Sequence, residues 1–115
     1  MIRVYGITNC DTVKKARRWL DAHGVAYEFI DFKRVPPERA QLERWCAAAG
    51  VETLVNRRGT TWRQLDAATQ ARASTLAGAV QVLLEHPSAI KRPVLESGTE
   101  LLVGFDAAQY ARLAG

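Results

Sequence analysis

The sequence predicts an α/β fold in which a small mixed β-sheet is packed with helices. Three observations predict it: a β-α-β pattern at the N-terminal end, a helix-rich middle, and a β-β-α pattern at the C-terminal end. A chain of 115 residues that are 48% hydrophobic can build a core without metals or disulfides. We therefore expect a single domain over residues 1–115, with a helical insertion at about 36–87.

The N-terminal pattern begins with a short β-prone stretch, residues 2–5. A helix is predicted over 11–23 because apolar residues recur there at helical spacing, and Gly24 is suited to end it. Those apolar residues are Val13, Ala16 and Leu20. Alternating apolar and polar residues over 26–32 then predict a second strand.

The middle of the chain is expected to be helical. Pro36 and Pro37 are predicted to open a helix, since proline suits the first helical turn. Residues 56–62 indicate a loop-rich segment, and residues 66–86 predict one or two further helices. Pro87 is expected to end that helical stretch.

The C-terminal pattern predicts a β-hairpin followed by a helix. A strand is expected to begin at 92–95, turn at 97–99 and return over 101–105. Residues 107–113 then predict a short helix. The whole order is that of the thioredoxin-like fold, with helices inserted between its two halves.

The charge of the chain is mildly basic, with 16 Lys and Arg against 12 Asp and Glu and a net charge of +4. This excess favours anionic partners, but a domain that is merely basic explains it equally well, and we expect no direct nucleic-acid contact. No apolar run approaches the ~20 residues that span a bilayer, and the N-terminus lacks a signal-peptide pattern. We therefore expect a cytoplasmic protein without a membrane partner.

Cys10 is the strongest candidate for chemistry. It lies between the first strand and the first predicted helix, where unpaired backbone N–H groups and the helix dipole favour a thiolate. Lys14 follows one helical turn later, where its ammonium group can approach the sulfur. A buried and inert cysteine is the alternative, but the polar neighbours Asn9, Asp11 and Thr12 favour the reactive one.

The sequence predicts structural roles for the second cysteine and for the two histidines. Cys46 lies on an apolar helical stripe and is predicted to pack in the core. Val13 occupies the fourth position of a Cys-x-x-Cys motif, so a local dithiol cycle is excluded. His23 and His86 lie at predicted helix ends, and no spacing of ligands indicates a metal site.

Arg92 and Pro93 form the second candidate feature. A proline at the start of a strand removes a ladder donor, which suits an edge or an entrance to the sheet. A strand-opening proline beside a solvated arginine is the simpler interpretation.

Taken together, these features resemble the arsenate reductase and Spx superfamily, the ArsC family, and specifically its YffB-like branch. The similar stretches keep the family's order and are spread over essentially the whole chain: residues 5–17, 56–65, 90–95 and 102–105. The resemblance implies a thioredoxin-like fold with a helical insertion. It also implies a cis proline at position 93 that faces the cysteine loop, while the residues themselves leave both isomers open.

The resemblance to arsenate reductases implies a nucleophilic role for Cys10, with glutathione and a glutaredoxin completing the reduction. Three arginines surround the oxyanion in those enzymes. Arg92 matches one of them, whereas Asn56 and Gly104 stand at the other two positions. Because a dianion needs fixed cationic donors, efficient arsenate reduction is not expected, although Arg57 beside the first vacancy leaves a weak activity open.

The YffB-like branch implies a glutathione-dependent thiol reductase, with glutathione as co-substrate and no bound cofactor. Cys10 would attack a small thiol or disulfide substrate or carry a mixed disulfide with glutathione. Thiolate-stabilising or substrate-binding roles are expected for Asn9, Thr12, Lys14, Arg57, Arg92 and Pro93. Lys14 and Arg92 would bind the glutathione carboxylates, and the Arg92-Pro93 backbone would pair with its peptide portion.

The Spx branch implies a different class of function, a transcriptional regulator that binds the RNA polymerase α subunit. Those proteins generally carry a Cys-x-x-Cys redox switch, which Val13 breaks here. Polymerase binding does not require the second cysteine, so this alternative stays open. A domain that keeps the fold and the cysteine without catalysis is the remaining alternative, and whether the protein is an enzyme is left undecided.

Overall fold

The computed structural model describes residues 1–98 and 100–114, except for the side chain of Ala114. Backbone contacts divide the chain into two compact units. The first unit comprises residues 1–35 and the chain from Arg92 onward, and the second comprises residues 36–91. The second unit occupies the place of the helical insertion expected at about 36–87. The expectation of a single domain stays a prediction.

The elements follow the predicted order of a β-α-β half, a helical middle and a β-β-α half. They are β1 (Ile2–Gly6), α1 (Asp11–Ala22), β2 (Tyr27–Asp31), α2 (Arg39–Ala49), α3 (Val51–Leu54), α4 (Thr60–Gln64), α5 (Ala67–Arg72), α6 (Leu76–Glu85), a 3-10 turn (Pro87–Ala89), β3 (Val94–Ser97), β4 (Glu100–Val103) and α7 (Ala107–Ala114). None of the described helices is long and apolar enough to cross a membrane.

The first unit contains a four-stranded mixed sheet with the order β2-β1-β3-β4. β1 pairs with β2 in parallel and with β3 antiparallel, and β3 pairs with β4 antiparallel. The predicted β-hairpin and the mixed sheet are thereby confirmed. The hairpin turn contains Gly98 at φ 62°, whereas Thr99, part of the predicted turn, lies outside the described residues.

One face of this sheet carries a hydrophobic core cluster of the first unit. Side chains from three strands pack there against α1 and α7, and the buried set is Val4, Ala16, Leu20, Leu95, Leu102 and Tyr110. Successive residues of a strand point to opposite faces, so Tyr5 lies on the other face. Its hydroxyl donates a 2.8 Å hydrogen bond to Oε1 of Glu96. The predicted apolar stripe of α1 is confirmed, since Val13, Ala16 and Leu20 are all buried.

The second unit is helical, and α2 packs along α6 within it. Leu42, Trp45 and Cys46 of α2 are buried, as the predicted apolar stripe requires. Residues 66–86 form two helices, each with a capped N-terminus. Asp66 accepts a hydrogen bond from the Thr69 N–H, and Thr75 accepts one from the Gly78 N–H.

Several predicted boundaries are wrong. Strand β3 begins at Val94 rather than at Arg92. Helix α2 begins at Arg39 rather than at the two prolines, because Glu38 is the extended N-cap residue and Pro36, which precedes a proline, is disfavoured in a helix. Residues 60–62 belong to the short helix α4 and not to a loop. Strand β4 ends at Val103 instead of residue 105, because Gly104 takes a positive φ of 80° that breaks the strand.

Candidate functional site

The sheet of the first unit brings four chain segments to one end, which we call the site end. β1 and β2 are parallel and finish together at the Gly6 and Asp31 pair. β3 is antiparallel to β1, and its first residue, Val94, lies beside Tyr5. The segment after β1, which leads to Cys10, therefore emerges at the same end as the segment that enters β3.

Cys10 is the N-cap residue of α1. Its backbone is extended, with φ −146° and ψ 122°, and its carbonyl accepts a 3.0 Å hydrogen bond from the Lys14 N–H. The thiol is partly exposed, and its sulfur makes no capping hydrogen bond. The side chain is thus placed at the positive end of a 12-residue helix and remains accessible to a reagent.

Val13 fixes the start of α1 against the end of β1. Its side chain is completely buried. A Cβ atom added at Gly6 would lie 2.8 Å from Val13 Cγ2, so the valine packs directly on the glycine backbone. The fourth position of the cysteine motif is therefore a hydrocarbon held inside the unit. No thiol can act there.

The Arg92-Pro93 peptide bond is cis, in agreement with what the family resemblance implied. Pro93 is buried, and its carbonyl accepts a 2.8 Å hydrogen bond from the Gly104 N–H. The Pro93 carbonyl is therefore partly engaged within the protein, and pairing of the Arg92-Pro93 backbone with a substrate stays a prediction. Arg92 is partly buried, its Nε atom is buried, and the residue has a partner within the protein.

Gly104 is one of the two positions at which the family resemblance implies an arginine in arsenate reductases. The residue is buried and has a φ of 80°, a conformation that residues with a Cβ atom rarely adopt. Its carbonyl accepts a 3.4 Å hydrogen bond from the hydroxyl of Tyr110, a fully buried residue. The backbone at this position is therefore shaped for glycine, and an arginine would strain it.

Arg57 belongs to the second unit. It lies in a turn in which the Gly59 N–H donates a 3.1 Å hydrogen bond to the Asn56 carbonyl. Its side chain is exposed, and the guanidinium carbon lies 5.7 Å from the centre of the Trp62 ring. Arg57 is therefore a surface cation on an ordered turn.

Cys46 is also in the second unit, and only 2% of its surface is exposed. Burial raises the pKa of this thiol, because a thiolate would lose its hydration there. The prediction of a core role is confirmed. Among the described residues, no group of three or more His, Cys, Asp or Glu side chains could hold a metal ion.

The predicted site residues thus belong to both units. Those of the first unit all lie at the site end or at the start of α1: Asn9, Cys10, Thr12, Lys14, Arg92 and Pro93. The side chains of Asn9, Thr12 and Lys14 are exposed. Arg57 belongs to the other unit. Tyr110 was missed by the sequence argument, since an aromatic residue on a short helix is usually only part of the core.

Comparison with known proteins identifies the family. The sequence profile of the ArsC family matches residues 5–113. The chain belongs to the ArsC family. Its mixed sheet and helices have the thioredoxin-like arrangement of that family.

Solved structures similar to this ArsC-family chain include two proteins with more than 40% sequence identity. The YffB protein is 50% identical, with a TM-score of 0.95 and complete coverage of both chains. An arsenate reductase related protein from Brucella melitensis is 43% identical, with a TM-score of 0.77 over 96% of this chain and 92% of the other. The membership of the YffB-like branch predicted from the sequence agrees with the first of these similarities.

Curated relatives include both uncharacterized and regulatory proteins. An uncharacterized protein of Haemophilus influenzae is 39% identical over 96% of each chain. The global transcriptional regulator Spx 2 of Oceanobacillus iheyensis is 24% identical, over 90% of this chain and 76% of the regulator. The ArsC family therefore contains both reductase-like and regulatory members.

Proposed function

We propose that this protein is a glutathione-dependent thiol reductase in which Cys10 is the single nucleophile. The observation that carries the proposal is the position of Cys10, partly exposed at the N-cap of α1. The segment that leads to it leaves the same end of the sheet at which Arg92 and Pro93 enter β3. Val13 offers no second thiol and Cys46 is buried, so the resolving thiol would come from outside the chain.

The proposed reaction has two thiol–disulfide exchanges. The Cys10 thiolate attacks the glutathione sulfur of a mixed disulfide, forms a bond to that sulfur and releases the substrate thiolate. A thiolate of a second glutathione then attacks the Cys10 adduct, which regenerates the Cys10 thiolate and releases oxidised glutathione. The net result is that the substrate is released as its thiol after protonation, and one free glutathione is consumed. Its sulfur leaves in oxidised glutathione, joined to the glutathionyl sulfur that came from the mixed disulfide.

Two cations of the first unit would assist this chemistry. Lys14 lies one turn after Cys10 on α1, with its side chain in solvent. Arg92 lies just before β3 at the site end, partly buried. They would bind the carboxylates of glutathione and favour the thiolate. The Pro93 carbonyl accepts a hydrogen bond from the Gly104 N–H. The main chain of Arg92 would therefore be the part that pairs with the peptide portion of glutathione.

Turnover with a glutathione-capped model disulfide tests the proposal. Glutathione, glutathione reductase and NADPH would be supplied, and NADPH oxidation would be followed. We expect activity in the parent protein and in Cys46→Ala, and its loss in Cys10→Ser. A parent rate no higher than the uncatalysed exchange would refute the reductase function, as would equal rates in the parent and Cys10→Ser.

A regulatory function is the second candidate, and the Spx-type relatives favour it. The exposed side chains of Lys14, Lys15 and Arg18 on α1 offer a basic surface to a protein partner. The RNA polymerase α subunit is the partner to test. Retention of purified α subunit by the immobilised protein, together with inactivity in the turnover assay, would favour the regulator over the reductase.

Arsenate reduction is the least favoured of the family activities. Arg92 is present, but the buried backbone at Gly104 cannot readily carry the arginine that a dianion would need. We also propose a cytoplasmic location, which suits a free thiol. A glutaredoxin remains part of the proposal as an electron carrier.

A further inference from the structure

The second unit carries an open groove of about 410 Å³. Its charged and polar lining includes Glu52, Asn56, Arg57, Arg58 and Lys91. Three cations therefore face one carboxylate. The volume lies within the range of about 300–1,000 Å³ that is common for small-molecule sites.

Backbone hydrogen bonds hold the two sides of the groove together. Val55 and Ile90 form an antiparallel bridge. The Asn56 N–H donates to the Ala89 carbonyl at 2.8 Å, and the Lys91 N–H donates to the Leu54 carbonyl at 2.8 Å. Lys91 is thus fixed beside the segment that leads to Arg57, although the two lie far apart in sequence.

A tight turn presents the other two cations. Arg57 and Arg58 are the central residues of the turn that is closed by the hydrogen bond from Gly59 to Asn56. Both side chains are exposed. The position of Arg57 over the Trp62 ring restrains its guanidinium by a cation–π contact.

The positive charge of the groove is not neutralised by the described part of the protein. The ion pairs found there within 4.0 Å join other arginines to acids on neighbouring strands or helices. Arg57, Arg58 and Lys91 take part in none of these, and neither does Glu52. The groove therefore offers three cations to an external anion.

We propose that this groove binds a small molecule with two anionic groups, either phosphates or carboxylates. The planar guanidinium groups suit bidentate bonds to such oxyanions, and the lysine adds a point charge. None of the lining residues is aromatic, so no ring is available to stack on a nucleic-acid base. The residues that line the groove all belong to the second unit, so the proposal does not rest on the proposed Cys10 chemistry.

A titration followed by amide NMR spectra tests the proposal. Pyrophosphate is added in one arm and succinate in the other, at low and constant ionic strength. Saturable shifts are expected at the amides of residues 52–58 and 91, and added salt should weaken them. The arm with the tighter binding distinguishes a phosphate ligand from a carboxylate ligand.

Substitutions locate the binding. Arg58→Ala and Lys91→Ala should each raise the Kd roughly three- to tenfold, and Arg58→Lys should raise it less. Arg63→Ala is the matched control, since Arg63 is an exposed arginine of the same unit outside the groove. The proposal is overturned by the absence of saturable shifts below about 10 mM of either probe. Shifts located outside the groove, or equal weakening by Arg63→Ala, would overturn it too. Unchanged spectra elsewhere show that each variant is folded.

Discussion

The main-chain N–H of Gly104 donates a 2.8 Å hydrogen bond to the carbonyl of Pro93. This bond joins the residue after β4 to the residue before β3, at the end of the sheet where the chain leads to Cys10. It requires Gly104 in a conformation with φ 80°, which only glycine adopts without strain. The candidate site therefore keeps Arg92 while the backbone opposes an arginine at position 104.

Replacement of Gly104 should be costly. We expect Gly104→Ala to lower the free energy of unfolding by about 1–3 kcal/mol, because the positive φ and the burial both oppose a Cβ atom. Gly24→Ala is the control, since Gly24 has φ 66° and nothing within 4 Å of the added Cβ. Urea denaturation measures both. If Gly104→Ala lowered the free energy of unfolding by no more than Gly24→Ala does, the backbone at position 104 would not have a special requirement for glycine.

Gly6 and Val13 should be energetically coupled. Gly6→Ala is expected to cost about 1–3 kcal/mol of stability, because its Cβ would meet Val13 Cγ2, and β-branched side chains have little rotamer freedom. In a Val13→Ala background the same change should cost markedly less. A double-mutant cycle from urea denaturation gives the coupling. Additive losses would show that the valine does not pack on the glycine.

Lys14 should accelerate the reaction of Cys10 with alkylating reagents. Below neutral pH, Lys14→Ala is expected to slow alkylation of Cys10 by roughly two- to fivefold, because an exposed charge one turn away stabilises the thiolate only modestly. Lys15→Ala is the matched control, an exposed lysine on another face of α1. Lys14→Arg should retain most of the rate. If Cys10 were alkylated at equal rates in Lys14→Ala and Lys15→Ala, Lys14 would have no specific effect on Cys10.

Stability should decrease at alkaline pH. Burial raises the pKa of Tyr110 and of Cys46 in the folded protein. The unfolded chain therefore loses these protons first, and stability declines as pH rises above the unfolded values of about 8.5 for Cys and 10 for Tyr. Tyr110→Phe should reduce the loss between neutral pH and about pH 10.5. The same loss in the parent and in Tyr110→Phe, measured by urea denaturation, would contradict this account.

Much of the fold could be predicted from local patterns. The stripe of Val13, Ala16 and Leu20 predicts the buried face of α1, and Gly24 predicts its end. The β-α-β and β-β-α halves predict the mixed sheet, because hairpin spacing and crossover connections are local properties of a chain. The core position of Cys46 follows from the helical period in the same way.

Other features depend on long-range packing and could not be predicted. The bond from Gly104 to Pro93 and that from Tyr110 to Gly104 become visible only when β3, β4 and α7 are assembled. The groove with Lys91 depends on the bridge between Val55 and Ile90, which are far apart in sequence. The periodicity of apolar residues along the sequence does not indicate such contacts.

Intact mass after incubation with oxidised glutathione tests the central claim most directly. The Cys10 thiolate would attack the disulfide, form a mixed disulfide and release one glutathione thiolate. The account predicts one glutathione adduct on the parent and on Cys46→Ala, removable by reduced glutathione, and none on Cys10→Ser. A parent that stays unmodified, or an adduct that persists in Cys10→Ser, would contradict it.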